Sequence, residues 1–279
     1  MTLISAFITI RGTAVATDSL LTIRDNENPG TVEGIEWQQS KLVRLQKFAG
    51  TISFWGSAVA EPILPLPPDK DLTEFKWTLY QWLTDKSKNV HESTIEEFVI
   101  RLTNELKDEY RKRNWGTQGL GVHITGYEFI DNTYIPELFL ISNYSDTSYT
   151  QTRELSYSRE TYHTLTDTPA EEKHRELAYR KVVQLYLNEG GFFIYNNGNP
   201  RLFNPVFNAF WDSYRASIID GRAKKIETLK DHIAIVRRPI EIVSQFQSDF
   251  FKKDKILIGG RTHDLSVWRD GNYSSTSGD

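Results

Sequence analysis

The stretch that decides the fold lies at the start of the chain, where residues 2–22 are TLISAFITIRGTAVATDSLLT. Apolar residues alternate with others over 3–10, a polar pair with glycine follows at 11–12, and small or branched residues continue over 13–17. Alternation with a period of two predicts strands, and a short break that contains glycine predicts a hairpin turn. The chain is therefore expected to begin with two antiparallel strands, the second of which ends at Asp18.

Strands and helices follow in blocks along the rest of the chain. Strand patterns recur at 41–45, 50–55, 120–127, 137–142, 255–258 and 262–268, and helical spacing covers 72–83, 94–113, 170–187, 207–219 and 223–251. Antiparallel hairpins combined with blocks of helix predict an α+β fold, in which two stacked sheets are covered on their outer faces by helices. The polar stretch 18–34 is expected to be a loop, and Pro239 is expected to break the last helix.

Composition excludes several kinds of function. The 279 residues contain no cysteine, which excludes disulfides, thiolate metal sites and a cysteine nucleophile, and which suits a reducing compartment. A net charge of -4 gives no general attraction to nucleic acid or to an anionic membrane. Neither a secretory signal nor an apolar run of about 20 residues is visible, so we expect a cytoplasmic protein. The six histidines have no metal-ligand spacing, so we expect no metal and no cofactor.

The first sixty residues contain groups that could act together in acyl transfer. Removal of Met1 would make Thr2 the first residue, and its free amine, with a reference pKa of about 7.7–8.0, could take the proton of its own hydroxyl. Such a site needs a nearby cation and a carboxylate that holds it, which Lys41 and Asp18 could supply from strand ends. Gly56, at the end of the fourth strand, would let a backbone N–H approach an oxyanion. Each residue taken alone also fits an ordinary structural role, such as a turn aspartate or a solvated lysine.

Together these segments resemble the proteasome β-subunit family of N-terminal-nucleophile hydrolases and its bacterial ATP-dependent peptidase relatives. The match runs through Thr2, ITIRGTAVATDSLLT at 8–22, KLVRL at 41–45 and TISFWGSA at 51–58. The family combines an N-terminal threonine, a strand that ends in Ala-x-Asp-Ser, a lysine that opens a strand, and a further strand that ends in glycine. The resemblance implies a proteasome-like four-layer αββα sandwich of two antiparallel sheets flanked by helices.

The resemblance also implies a threonine peptidase or amidase. Thr2 would be the nucleophile and, through its amine, the base, while Asp18 would orient Lys41 and Lys41 would tune the amine. Gly56 would donate its N–H to the oxyanion, and an extended substrate would lie between the strands of Gly56 and Thr22. The first specificity pocket would be lined by Leu21, Gln39, Phe54 and Ala58. A pocket of this kind would favour small or medium apolar side chains.

The residue pattern and the resemblance together predict how the chain is organised and what it contacts. We expect a single domain at 1–271, with an extended loop at 143–168, an enlarged helical block at 190–251 and a disordered tail at 272–279. Family members of this fold bury their outer helices against neighbours, so we expect a homo-oligomer, such as a ring or another closed array. An ATP-dependent unfoldase is compatible with this family as a partner. The expected substrate is a peptide or an amide.

Departures near the C-terminus keep other functions open. The family places an aspartate three residues before a serine that is followed by Gly-Gly, whereas this chain has Lys255 and Ile258 before Gly259-Gly260, with Asp254 one position away. A non-catalytic proteasome-like scaffold or binding subunit is therefore an alternative to the threonine hydrolase. An amidase that acts on a small metabolite through the same nucleophile is a third hypothesis.

Overall fold

The computed structural model describes residues 3–24, 32–36, 40–56, 77–113, 119–130, 132–144, 152–159, 191–197, 200–224, 226–252 and 261–276. The predicted helix at 170–187 and the predicted strand at 255–258 lie outside these residues. None of the helices described has the length and apolar character required to cross a lipid bilayer.

Two five-stranded antiparallel sheets form the centre of the described part of the chain. The first sheet has the order β10 (Phe193–Asn197), β1 (Ile4–Ile8), β2 (Gly12–Asp18), β11 (Thr262–Trp268), β12 (Tyr273–Ser274). The second sheet has the order β5 (Leu42–Leu45), β6 (Gly50–Gly56), β7 (Leu120–Ile130), β8 (Thr133–Tyr144), β9 (Thr152–Arg159). A separate antiparallel pair consists of β3 (Leu20–Arg24) and β4 (Val32–Glu36).

Helices cover the outer face of each sheet. On the second sheet, α1 (Leu79–Lys88) and α2 (Ile95–Lys112) pack into one apolar core, and on the first sheet, α3 (Pro200–Ile219) and α4 (Leu229–Phe250) pack into another. A third core joins the inner faces of the two sheets. This is a four-layer αββα arrangement, which confirms the α+β sandwich predicted from the sequence.

The residues of α2 explain why this helix forms and which face it buries. Thr94 accepts a hydrogen bond from the Glu97 N–H, and Glu97 accepts one from the Thr94 N–H, so the first turn is closed by a capping box. Phe98, Leu102 and Leu106 are spaced four residues apart and are fully buried against the second sheet. Residues at this spacing lie on one face of a helix, so the apolar stripe of the sequence is the face in the core.

Three segments that were predicted to be irregular or helical contain strands. The stretch 143–168, predicted as a loop, contains β9; the helical block 190–251 begins with β10; and the tail 272–279, predicted as disordered, contributes β12. Each of these strands is at the edge of its sheet. Edge strands are paired on one side only, and the sequences of these three strands lack the regular alternation of apolar and polar residues from which the inner strands were recognised.

Two further expectations were wrong. The polar stretch 18–34 is not only a loop, because it contains β3 and the first part of β4, which pair with each other. Helix α4 also runs without a break through Pro239, whose side chain is buried. Proline removes one backbone hydrogen bond, but α4 lies against the first sheet over much of its length, and this packing outweighs the local cost.

We predict that Phe98→Ala lowers the free energy of unfolding by about 3–5 kcal/mol, because it removes a fully buried ring from the core between α2 and the second sheet. Ile100→Ala, at a position of the same helix that is 40% exposed, is the control and should change it by less than about 1 kcal/mol. Urea denaturation of both variants measures the difference. Equal losses would contradict the assignment of the buried face.

Candidate active site

A carboxylate at the end of β2 is the centre of the candidate site. Asp18 Oδ1 accepts a hydrogen bond of 2.7 Å from the backbone N–H of Leu3, and the Lys41 amine lies 3.6 Å from the same oxygen. The side chains of Asp18 and Lys41 are each only 1% exposed. The structure therefore joins the start of the chain, the end of β2 and the start of β5 through one buried oxygen atom.

Strand pairing explains why these residues meet. The hairpin of β1 and β2 brings the chain back beside its start, and the Asp18 N–H donates to the Leu3 carbonyl. Lys41 directly precedes β5, and its carbonyl accepts a hydrogen bond from the Phe54 N–H of β6. Ser19 continues β2 toward β11, because its hydroxyl accepts from the Arg261 N–H at 2.7 Å and its own N–H donates to the Arg261 carbonyl. The end of β2 is thus held on both sides.

Burial controls the electrostatics of the pair. Burial lowers the pKa of Lys41 below the ordinary lysine value and raises the pKa of Asp18, while the attraction between the two groups opposes both shifts. The Leu3 N–H also favours the charged form of Asp18. Contact with the Asp18 carboxylate therefore favours the charged form of Lys41 against the effect of burial.

Glycine is required at the end of β6. Gly56 has a φ angle of 90°, in the left-handed region that favours glycine, and a Cβ at this position would overlap the Gly119 carbonyl oxygen. The Phe54 N–H points to the β5 side, toward Lys41. N–H groups two residues apart in a strand point to the same edge of that strand. The Gly56 N–H is therefore directed to the edge of β6 that faces β5, at a point past the first residue of β5.

The other predicted site residues fall into two groups, those that the structure describes and those that lie outside the described residues. Phe54 is fully buried in the core between the second sheet and its helices. Leu21 and Thr22 lie in β3, which pairs with β4. The predicted nucleophile and two predicted pocket residues lie outside the described residues, namely Thr2, Gln39 and Ala58. The C-terminal positions at 254–260, where the chain departs from the family pattern, also lie outside them.

A buried histidine that the sequence did not indicate lies between the two sheets, on the strand next to β6. His123 Nε2 accepts a hydrogen bond of 3.2 Å from the Trp55 indole N–H, and it lies 3.1 Å from both Tyr195 Oη and Asn197 Nδ2. Burial lowers the pKa of His123 to about 3, so the ring is neutral near neutral pH. The four residues come from distant parts of the chain, and only the alternation of β7, which turns His123 inward, was visible in the sequence.

Solved structures similar to this chain include a proteasome-like protein. A mutant of Anbu (Gly-1) from Hyphomicrobium sp. strain MC1 superimposes with a TM-score of 0.48 at 11% sequence identity, over 98% of this chain and 85% of that chain. No protein-family model and no curated protein matches the sequence.

We predict that Lys41→Met lowers the free energy of unfolding by about 3–5 kcal/mol, because it leaves the Asp18 carboxylate buried without its cation. The double variant Asp18→Asn/Lys41→Met should lose less free energy of unfolding than the sum of the two single losses, since each single change leaves the other group buried without its partner. Lys88→Met, which breaks the exposed pair of Lys88 with Asp85, is the control and should cost less than about 1 kcal/mol. Additive losses in chemical denaturation would contradict a coupled buried pair.

We predict that His123 makes the protein less stable in mild acid. Its native pKa of about 3 is below the unfolded value of about 6.5, so between these values the unfolded chain binds a proton that the native state does not. The contribution is fully present above the unfolded pKa and is lost as the pH falls toward the native pKa. From pH 6.5 to pH 5.0, the wild type should lose about 1.5–2 kcal/mol more than His123→Gln. Urea denaturation at both pH values measures this difference, and equal losses would disprove it.

Proposed function

We propose that this chain is a proteasome-like N-terminal-nucleophile hydrolase, which cleaves peptide or amide bonds with Thr2 after Met1 is removed. The observation that carries the proposal is the Asp18 oxygen shared by the Leu3 N–H and the Lys41 amine. Leu3 directly follows the proposed nucleophile in the sequence, so the carboxylate is bound to the residue next to Thr2 along the chain. The pair is buried, so its field acts with little screening by solvent.

The proposed reaction needs only groups of this chain and water. The neutral Thr2 amine takes the hydroxyl proton as the Thr2 oxygen attacks the substrate carbonyl carbon, and the Gly56 N–H stabilises the oxyanion. The protonated amine then gives its proton to the leaving nitrogen, and the carbon–nitrogen bond breaks to leave an ester on Thr2. Water hydrolyses that ester, with the amine again as base. Lys41, held by Asp18, favours the neutral amine and lowers the cost of negative charge on the attacking oxygen.

The expected substrate is an extended peptide or an amide. We propose that it lies between β3, at Thr22, and the end of β6, where the Gly56 N–H is directed past the start of β5. The pocket for the side chain next to the cleaved bond is proposed to be lined by Leu21, Gln39, Phe54 and Ala58. Phe54 is fully buried in the core that faces the helices. The family resemblance implies that it makes this pocket shallow, which would favour small or medium apolar side chains.

Self-assembly forms part of the proposal. The outer surface of α4 carries Ile242, Phe246 and Phe250 at a spacing of four residues, and Phe246 and Phe250 are 50% and 74% exposed. Large apolar side chains on an outer helix favour contact with another copy of the chain, as expected for a closed homo-oligomer. A cytoplasmic location and an ATP-dependent unfoldase as partner belong to the same hypothesis, and of these two the unfoldase follows from the resemblance alone.

One feature of the sequence favours a second candidate function. The positions that hold an aspartate and a serine in the family carry Lys255 and Ile258 here. Both family residues support the nucleophile, so their replacement favours a non-catalytic scaffold or binding subunit with the same architecture. The two functions differ in one observable, which is covalent reaction at Thr2.

We predict that the intact mass of the purified protein lacks Met1, and that a peptide electrophile directed at N-terminal threonines forms one adduct on Thr2. Thr2→Ala should abolish adduct formation and lower peptide hydrolysis by about 1,000-fold or more, because it removes the nucleophile. Thr2→Ser keeps a hydroxyl and an amine, and it should retain measurable activity. Mass spectrometry after proteolytic digestion locates the adduct.

Two results would reject the catalytic proposal. One is retention of Met1 on nearly all molecules, because an amide at the Thr2 nitrogen cannot act as the base. The other is a mature chain that begins at Thr2 but neither forms the adduct nor cleaves peptides or small amides, which would favour the scaffold. An adduct on Thr2 would eliminate the scaffold.

A further inference from the structure

The indole that precedes the proposed oxyanion glycine is fixed on several sides. Trp55 donates its indole N–H to His123, and its ring is stacked on Tyr144 with centroids 5.1 Å apart and planes 12° apart. The indole also lies against Gly121, where a Cβ would overlap the ring. Trp55 contributes the carbonyl of the peptide whose N–H belongs to Gly56, so these contacts hold one end of that peptide.

Two glycines at the start of β7 make room for this arrangement. Gly121 leaves space for the Trp55 indole, and Gly119 leaves space for the Tyr144 phenol, because a Cβ at Gly119 would overlap the Tyr144 ring. The Gly119 carbonyl in turn lies where a Cβ on Gly56 would be. The Gly-x-Gly sequence at 119–121 is thus explained by close packing around the Gly56 peptide.

His123 also contacts the first sheet, through two residues of its edge strand. Tyr195 and Asn197 are in β10, and the Tyr195 ring is edge-on to the His123 ring with centroids 4.5 Å apart at 87°. Strand β10 pairs with β1, and Asn197 lies opposite Ile4 in that pairing. His123 therefore links β6, which ends at Gly56, with the strand that begins just after the proposed nucleophile.

We propose that His123 is a positioning residue, which sets the distance between the Gly56 amide and the start of β1 through its contacts with Trp55 and Asn197. This inference rests on the proposed function, because it assigns the link a role in placing the oxyanion donor. Such a donor must lie about 2.7–3.1 Å from the developing oxyanion, and a displacement of about 1 Å can cost roughly 100-fold in rate. A link that joins the two strands across the sheets restricts this displacement.

The chemistry of the ring suits this role. An indole N–H can only donate, so His123 Nε2 must be an acceptor and the proton of the neutral ring is on Nδ1. Because burial lowers the pKa of His123 to about 3, this state persists throughout the range in which an amine of ordinary pKa serves as the base. Protonation of Nε2 would place two N–H groups against each other and break the link.

The test uses the full-length protein with a peptide amide substrate and compares four variants. His123→Leu removes the acceptor, Trp55→Phe removes the donor but keeps an aromatic ring, and His123→Gln restores an acceptor near the position of Nε2. Thr51→Val is the matched control, because it removes a buried hydrogen bond of the same strand, 2.7 Å from Thr51 to Thr125, away from Gly56. The rates of adduct formation on Thr2, kcat and KM are measured for each variant.

We expect kcat and the adduct rate to fall about tenfold or more in His123→Leu and Trp55→Phe, with KM within about twofold of the wild type, because the oxyanion contact is made only in the transition state. His123→Gln should recover most of the loss, and Thr51→Val should remain within about twofold of the wild type. Circular dichroism identifies any variant that fails to fold, and Trp55→Phe and His123→Gln then decide the outcome.

Several outcomes would overturn the inference. Unchanged kcat in folded Trp55→Phe would show that the link does not position the donor. An equal loss in Thr51→Val would assign the effect to general loosening of β6, and a loss confined to KM would assign it to substrate binding. If the wild type itself forms no adduct on Thr2, the proposed function fails and this inference fails with it, whereas a reactive wild type with equally reactive variants rejects the inference alone.

Discussion

The buried contact between Asp18 and Lys41 is the interaction on which the rest of the candidate site depends. One oxygen atom of Asp18 faces both the Leu3 N–H and the Lys41 amine, so a single carboxylate sets the start of the chain relative to β5. Burial of two opposite charges carries a desolvation cost that a well-packed apolar pair would avoid. The pair therefore contributes to the relative placement of β1, β2 and β5 more than to the net free energy of unfolding.

The stacking of the two sheets brings the candidate site together, because each sheet contributes different residues to it. The first sheet supplies the start of β1 and Asp18, and the second supplies Lys41 and Gly56. The apolar layer between the sheets fixes their separation, and His123 adds polar contacts across that layer. The geometry at the proposed reacting atoms thus follows from the packing of whole sheets rather than from one loop.

The sequence predicted that Asp18 lies close to the start of the chain and that Lys41 lies nearby, because both residues are at the ends of strands with apolar alternation. The catalytic roles of Asp18, Lys41 and Gly56 stay predictions that follow from the family resemblance. The edge strands β9, β10 and β12 could not be predicted, since they pair on one side only and their sequences lack a regular alternation of apolar and polar residues. The helix through Pro239 could not be predicted either, because its stability comes from packing against the first sheet. His123 was missed for a related reason: its partners Trp55, Tyr195 and Asn197 are 68 to 74 residues away in the sequence.

The pairing of the first sheet has a consequence for how the protein is made. The hairpin of β1 and β2 is synthesised long before its neighbours in the sheet, β10 and β11, and the contact of Ser19 with Arg261 spans 242 residues. Until β10 and β11 have been synthesised, both edges of this apolar hairpin lack their native partners, and unpaired edges promote aggregation. The nascent chain should therefore depend on chaperones, and truncated products should be insoluble.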